Sequence, residues 1–303
     1  MRFQHGAMLS AMNSDVRGST TPASAGPYAT RSGEVVKQPV GFQQKLRATA
    51  RSAYLSIVDR LAPSPTEPFL RCVYSHFVFD DQVRAFSRIL DMLSDLGEFV
   101  DTDRAVEMAI GREPIDGKYF HLSFDDGFRH VLRNALPILA ERSIPALLFV
   151  PSAVIGCGWK TAKTYSLDVT ANRAVMEVAT LDVLESARAH GFTIGSHTRT
   201  HARLSTVVGR KELADEICLS KVELEERLGC ECKYMSWPYG TAADVSPDAL
   251  ELIEQAGYSA CFSAIRGSIN SGRCDLMRIP RHHFEVHWPL GHVSFFCKGN
   301  GEP

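Results

Sequence analysis

The sequence has no apolar run long enough to cross a bilayer, which takes about 20 consecutive apolar residues. The one N-terminal stretch that could serve as a secretory core is broken by Gln4, His5 and Asn13. No signal peptide or transmembrane segment is read, so a cytoplasmic location is expected. Charge of one sign is missing too: 33 Lys and Arg stand against 35 Asp and Glu, a formal net charge of -2. Nucleic-acid partners demand a basic footprint, and neither the charges nor the aromatic residues provide one. Paired cysteines are also lacking. Cys72, Cys157, Cys218, Cys230, Cys232, Cys261, Cys274 and Cys297 are scattered without C-x-x-C spacing, and Cys230-Glu231-Cys232 is too tight for a zinc-knuckle arm. Free thiols are the expectation. No internal repeat is evident.

What is present suffices for one sizeable core, since 45% of 303 residues are hydrophobic. Residues 1–40 are rich in Ser, Thr, Ala and Gly, lack an apolar period, and read as a disordered tail. Residues 41–68 form a helical segment. Within it Leu46, Ala50, Ala53, Tyr54, Ile57 and Leu61 share one helical face, with Lys45, Arg47, Arg51 and Arg60 elsewhere. Packing on the domain is the preferred reading of this helix, and a membrane-surface helix is the alternative. Beyond it strands alternate with helices: Tyr119 to Phe124, Ala146 to Val150, Phe192 to Ser196, Lys233 to Ser236 and Tyr258 to Ala264 read as strands. Helices over 128–142, 181–190, 211–228 and 246–256 separate them, with Gly191 and Gly229 as C-caps and Ser246-Pro247 as a helix start. That rhythm means a parallel α/β sheet, open or closed.

The chemistry-bearing residues sit where strands end. Ser123-Phe124-Asp125-Asp126-Gly127 puts two carboxylates in a strand-to-helix loop, the usual place for chemistry in α/β folds. Taken alone, Asp-Asp-Gly is also ordinary turn chemistry. The strand ending at Ser196 runs into His197-Thr198-Arg199-Thr200-His201, whose spacing would aim two imidazoles the same way on one helical turn. One carboxylate and two imidazoles leave coordination positions open on a metal, as catalytic sites do. Trp237-Pro238-Tyr239-Gly240 follows a third strand and reaches the same rim.

In that order, Phe124-Asp125-Asp126-Gly127, His197-Thr198-Arg199-Thr200-His201 and Trp237-Pro238-Tyr239-Gly240 resemble the first three motifs of the polysaccharide deacetylase family, which includes the NodB-type chitooligosaccharide deacetylases. The resemblance spans Phe69 to Phe296 and marks 69–297 as the domain. It implies a distorted (β/α) barrel of about seven parallel strands and a metal-dependent hydrolase that removes N-acetyl groups from amino sugars in oligo- or polysaccharide. It further implies Asp125 as general base. Asp126, His197 and His201 become ligands of a divalent metal, zinc first, with cobalt or nickel as alternatives. Pro238, Tyr239 and Gly240 would line the substrate, the Tyr239 N–H helping to hold an oxyanion. Two other readings stay open on this scaffold: a hydrolase of small cyclic amides or imides, and a carbohydrate-binding pseudoenzyme.

The chain also departs from the family pattern. Many members carry an arginine two residues before the proline of the third motif, where it pairs with the base; here that residue is Ser236. Arg278 or Arg281 could replace it, and Arg278 is taken. The family's last motif, a Leu-x-His-Asp setting for the general acid, is absent, leaving His282, His283, His287 and His292 beside Trp288. His283 is taken as the acid. Trp159 is a candidate for stacking on a sugar face. His76, at the end of an early strand with Tyr74, reads as a packed core histidine.

Overall fold

The computed structural model describes residues 27–36, 42–61 and 65–302. The described residues form eight strands: β1 (Phe69–Ser75), β2 (Glu98–Phe99), β3 (Lys118–Phe124), β4 (Leu147–Val150), β5 (Thr193–Ser196), β6 (Tyr234–Ser236), β7 (Ala260–Phe262) and β8 (Arg281–His283). All pair in parallel, in the order β7-β6-β5-β4-β3-β1-β8, with the two-residue β2 lying off that path beside β3. The two ends of the path meet through a parallel bridge between Phe262 and Ile279. The result is a nearly closed barrel of seven parallel strands ringed by helices.

Alternation along the strands divides the core into two layers. Leu70, Cys72, Leu147, Phe149, Phe262 and Ile279 belong to one buried cluster inside the barrel, together with Val100, Ala105 and Met108 from its lower end. Phe120, Leu122, Phe124, Leu148 and Val150 belong to a second cluster, outside, against the helices. The helix foreseen over 128–142 is two, Arg129–Asn134 and Leu136–Glu141. Pro137 explains the break, since it cannot donate to the preceding turn. Gly191 and Gly229 end their helices in left-handed conformation, at φ 86° and 62°.

Residues 1–26 and 37–41 of the expected tail and linker lie outside the described residues. For 27–36 the structure differs from a disordered tail. Ala29 donates to Val175 O at 2.8 Å, Asp80 N donates to Thr30 O at 3.0 Å, and Ser32 Oγ donates to Asp81 at 2.8 Å. Backbone hydrogen bonds to the barrel's loops supply the order that this segment's composition does not. None of the eight cysteines forms a disulfide, as the absence of paired spacing foretold. No described helix is long and apolar enough to cross a membrane.

Candidate active site

Parallel strands deliver their C-terminal ends to one rim, and the three motifs meet there. Asp125 and Asp126 follow β3, His197 and His201 follow β5, and Trp237 to Gly240 follow β6. Six non-glycine residues among those described have positive φ, and four of them, Asp126, Thr198, His201 and Tyr239, lie in these loops. Such backbone costs on the order of 1–3 kcal/mol per residue, so its concentration here marks loops held in place for a purpose. Glycine is required twice. A Cβ on Gly127 would come within 3.0 Å of the Val150 side chain, and one on Gly240 within 2.7 Å of Ala264 N.

The loop from His197 to His201 corrects one sequence expectation: it is not a helical turn. Two left-handed residues, Thr198 at φ 61° and His201 at φ 63°, fold it into a tight turn whose imidazoles converge. Buried Glu216 ties this turn down, accepting from Arg199 N at 3.1 Å, Thr200 N at 2.9 Å and Thr200 Oγ1 at 2.7 Å. Nothing in the local sequence flags Glu216, because it sits in the following helix and acts across the fold.

Both imidazoles present Nε2 to Asp126 Oδ1, His201 at 3.2 Å and His197 at 3.5 Å. His197 Nδ1 is bound to the Ser236 carbonyl at 3.0 Å, which fixes the tautomer with its proton on Nδ1 and leaves Nε2 with a lone pair. The separations match the edge of a tetrahedron around an ion with nitrogen bonds of about 2.0–2.1 Å, an edge of about 3.3 Å. The three ligand atoms lie within 4.8 Å of one another and all three residues are buried, so the donor set fits a divalent ion. Burial pushes the Asp126 carboxyl up, but the two imidazoles facing it outweigh that and hold it well below the usual carboxylate range.

Asp125 is equally buried and differently partnered. Arg281, 1% exposed, grips it in a bidentate fork: Nη1 to Oδ1 and Nη2 to Oδ2, each at 2.8 Å. Arg281 also donates to Ser263 O at 2.8 Å, to Ser236 Oγ at 2.7 Å and to Ser123 Oγ at 3.2 Å. Burial raises the Asp125 carboxyl and Arg281 more than offsets it, so Asp125 stays ionised. The choice of Arg278 is therefore corrected. Arg278 sits in a short turn before β8, about half exposed and paired with Asp275. Ser236 gives the complementary half of the account: where the family arginine would stand on β6, a small hydroxyl leaves room for a guanidinium arriving from β8.

His76 is the residue that sequence reasoning placed wrongly. It follows β1, its side chain keeps 27% of its surface accessible, and it lines the pocket beside the two carboxylates. Its Nδ1 bonds Glu285 Oε1 at 2.7 Å, and the same oxygen takes His283 Nε2 at 2.8 Å, while Ser75 Oγ donates to Glu285 Oε2 at 3.2 Å. Burial lowers the His76 pKa, but the hydrogen bond and charge of Glu285 more than reverse it, raising it to about 9; Glu285 in turn is held down at about 2. His283, expected as the proton donor, does not line the pocket: it lies behind Glu285 between Tyr74 and Trp288. His282 and His292 are drawn elsewhere, the first buried near Glu302. The hints of His76 in the sequence were its position at a strand end and its place near Tyr74.

Trp159 is also corrected. Its ring packs on Tyr28 of the N-terminal segment, centroids 4.9 Å apart, and does not line the pocket. The insert it belongs to contributes Thr170 and Asn172 to the pocket instead. Tyr239 does reach the site, as expected. Arg203 stacks on its ring at 3.8 Å, its hydroxyl donates to Val169 O at 3.3 Å, and no backbone carbonyl among the described residues accepts from its N–H. The carboxylates, His76, His197, His201, Arg281, Thr170, Asn172 and Tyr239, with Tyr74, Phe77, Trp237 and Ala264, line a cavity of about 260 Å³ that is open to solvent.

Residues 112–261 match the polysaccharide deacetylase family. No curated protein sequence matches the chain. Among solved structures the chain is similar to IcaB from Ammonifex degensii, at 24% identity and a TM-score of 0.63 over 77% of this chain and 98% of that one. It is likewise similar to the deacetylase PplD of Streptococcus pyogenes, solved with acetate, at 17% identity and 0.58 over 78% and 99%. A de-N-acetylase from Aggregatibacter actinomycetemcomitans gives 17% and 0.57 over 75% and 99%. At these identities the structures establish the shared barrel.

Proposed function

Because the chain belongs to the polysaccharide deacetylase family and is thereby a hydrolase of non-peptide carbon–nitrogen bonds, we propose that its pocket removes acetyl groups from N-acetylated amino sugars of an oligo- or polysaccharide with a divalent metal. The observation that carries this is the meeting of an ionised carboxylate, a His/His/Asp donor set and a proton-bearing imidazole in one cavity of about 260 Å³.

Asp126, His197 and His201 would hold the ion, zinc first, with cobalt or nickel as alternatives. When bound, it supplies Lewis-acid polarisation to the attacking water and the amide carbonyl. Asp125 accepts a proton from that water through a carboxylate oxygen, and Arg281 keeps it ionised and aimed. The Tyr239 N–H, free of a backbone partner and on a left-handed turn, donates to the oxygen that becomes negative as the water adds. His76, with Nδ1 tied to Glu285, has Nε2 to give a proton to the departing amine. A C–O bond forms, the C–N bond breaks, and acetate and the free amine leave. His283 touches none of the reacting atoms; it positions Glu285.

Acetate release from N-acetylglucosamine oligomers tests this, using metal-stripped protein with and without zinc or cobalt, beside Asp125→Asn and His76→Ala. Metal-dependent release that both variants lose is the expected result. Turnover of cyclic imides with none of the oligomers would replace the sugar with a small amide, and metal uptake with neither activity would leave a carbohydrate-binding pseudoenzyme.

A further inference from the structure

The helix Phe42–Leu61 faces the wrong way for a helix that exists only to complete a core. It packs on the C-terminal helix Leu290–Cys297 through Leu55, Ser56 and Asp59: Leu55 is buried, Ser56 lies against Gly291, and Asp59 accepts from Ser294 Oγ at 2.8 Å and pairs with Lys298 at 2.9 Å. The opposite face holds the apolar residues. Leu46 is 57% exposed, Tyr54 65%, Ile57 56% and Leu61 79%, with Ala50 and Ala53 exposed between them. Their spacing of four and three residues sets them in one stripe. Of the nine large apolar side chains exposed among the described residues, four lie on this helix, so the stripe is a patch and not scatter.

The charges beside the stripe identify its occupant. Arg47, Arg51 and Arg60 are exposed, and among the described residues no carboxylate pairs with any of them. The single acidic residue of the helix, Asp59, is turned inward. A second copy docked along the stripe would therefore set arginines against arginines at the flanking positions, the reverse of what helix pairing uses. An anionic surface satisfies both features at once.

We infer that this helix lies in the headgroup region of a membrane rich in anionic phospholipid. There the stripe of Leu46, Tyr54, Ile57 and Leu61 sinks among the acyl chains and Arg47, Arg51 and Arg60 meet the lipid phosphates. The enzyme then works as a peripheral protein, its barrel held at a lipid surface by a helix of about 30 Å that runs along the plane. This does not depend on the deacetylase reading.

Co-sedimentation of the full chain with vesicles of phosphatidylcholine, alone or mixed with phosphatidylglycerol, tests it. Binding to the anionic vesicles that weakens with salt is expected. Ile57→Glu should lower the partition at least about tenfold. The triple replacement of Arg47, Arg51 and Arg60 by Gln should lower it by roughly fivefold per arginine while leaving binding insensitive to salt. All these positions are exposed, so circular dichroism and acetate release from soluble oligomers should be unchanged in both variants. Failure of the wild type to bind either vesicle, or binding that neither variant weakens, overturns the inference. So does a dimer in sedimentation equilibrium that Ile57→Glu dissociates without any vesicle binding, which would put a second copy on the stripe.

Discussion

Two clusters of the same composition stand on the same barrel rim, each with one carboxylate and two imidazoles, and they are built for different ends. In Asp126, His197 and His201 the nitrogens stand 3.2 and 3.5 Å from the carboxylate oxygen, on loops with left-handed backbone at Asp126 and His201. In His76, His283 and Glu285 both nitrogens sit 2.7 to 2.8 Å from a single oxygen, which is hydrogen-bond distance, with ordinary backbone throughout. The first set has the spacing of ligands around an ion. The second is a hydrogen-bonded triad, with one Glu285 oxygen shared by His76 and His283. Composition alone does not separate a metal site from a hydrogen-bonded triad; the distances do, and so does strain, which a protein keeps only where the geometry matters.

The comparison breaks most visibly at the carboxylates. Asp126→Asn should abolish both metal uptake, read by equilibrium dialysis, and acetate release. Asp125→Asn should keep one equivalent of metal and lose about 10²–10⁴-fold in kcat. Equal loss of metal in both would mean that the two carboxylates share the ion.

Next in size is His76→Ala, again on the order of 10²–10⁴-fold in kcat with metal content unchanged. Its pH signature has a definite sign. The folded pKa is raised from 6.5 to about 9, so the proton is present at neutral pH and activity should fall as pH rises through about 9. The stability that the pair contributes follows the same group: it is complete below 6.5 and lost as pH rises through about 9. On the acid side the depressed Glu285 contributes above 4.5 and is lost as pH falls through about 2. A kcat/KM profile with no alkaline limb in the wild type would remove His76 from the reaction.

Arg281→Ala leaves Asp125 as a buried charge without its partner and should cost about 3–5 kcal/mol in stability, whereas Arg278→Ala, at an exposed pair, should stay within about 0.5 kcal/mol. Urea titrations of the two variants decide between these arginines. The smallest effect is expected at His283. Because it donates to the same Glu285 oxygen as His76, His283→Ala should make Glu285 a stronger acceptor for His76 and move the alkaline limb to higher pH. His283→Gln, which can still donate, should restore it, and metal stoichiometry should not change in either. A lower metal content in His283→Ala would show that the second cluster is a metal site after all.

Much of the site was legible because its residues are adjacent in the chain. Asp125 beside Asp126, and His197 four before His201, are local patterns, and strand-to-loop placement followed from short apolar runs with glycine behind them. Even there the backbone of the histidine turn was misjudged, since its left-handed residues depend on Glu216 from the next helix holding the turn's N–H groups. Arg281, His76 and Glu285 were not legible. Arg281 meets Asp125 across 156 positions and Glu285 meets His76 across 209, and no local pattern carries such a pairing. The apolar stripe of the N-terminal helix was visible as a stripe, but its outward direction was not, because periodicity defines a face without saying what it faces.

The sequence by itself determined the alternation of strands and helices, the order of the three motifs and the kinds of side chain available for the chemistry, for these are set by local spacing and turn residues. Only the tertiary structure decided which arginine pairs with Asp125 and which histidine lines the pocket beside it. β8 returns to pair with β1, register setting Tyr74 against His283. That one pairing brings Arg281 under Asp125 and Glu285 behind His76, while Arg278, three residues earlier, is left outside with Asp275. The choice between these arginines was made by barrel closure: Arg281 opens β8 and is carried into the barrel, while Arg278 ends the short turn before the strand and stays in water.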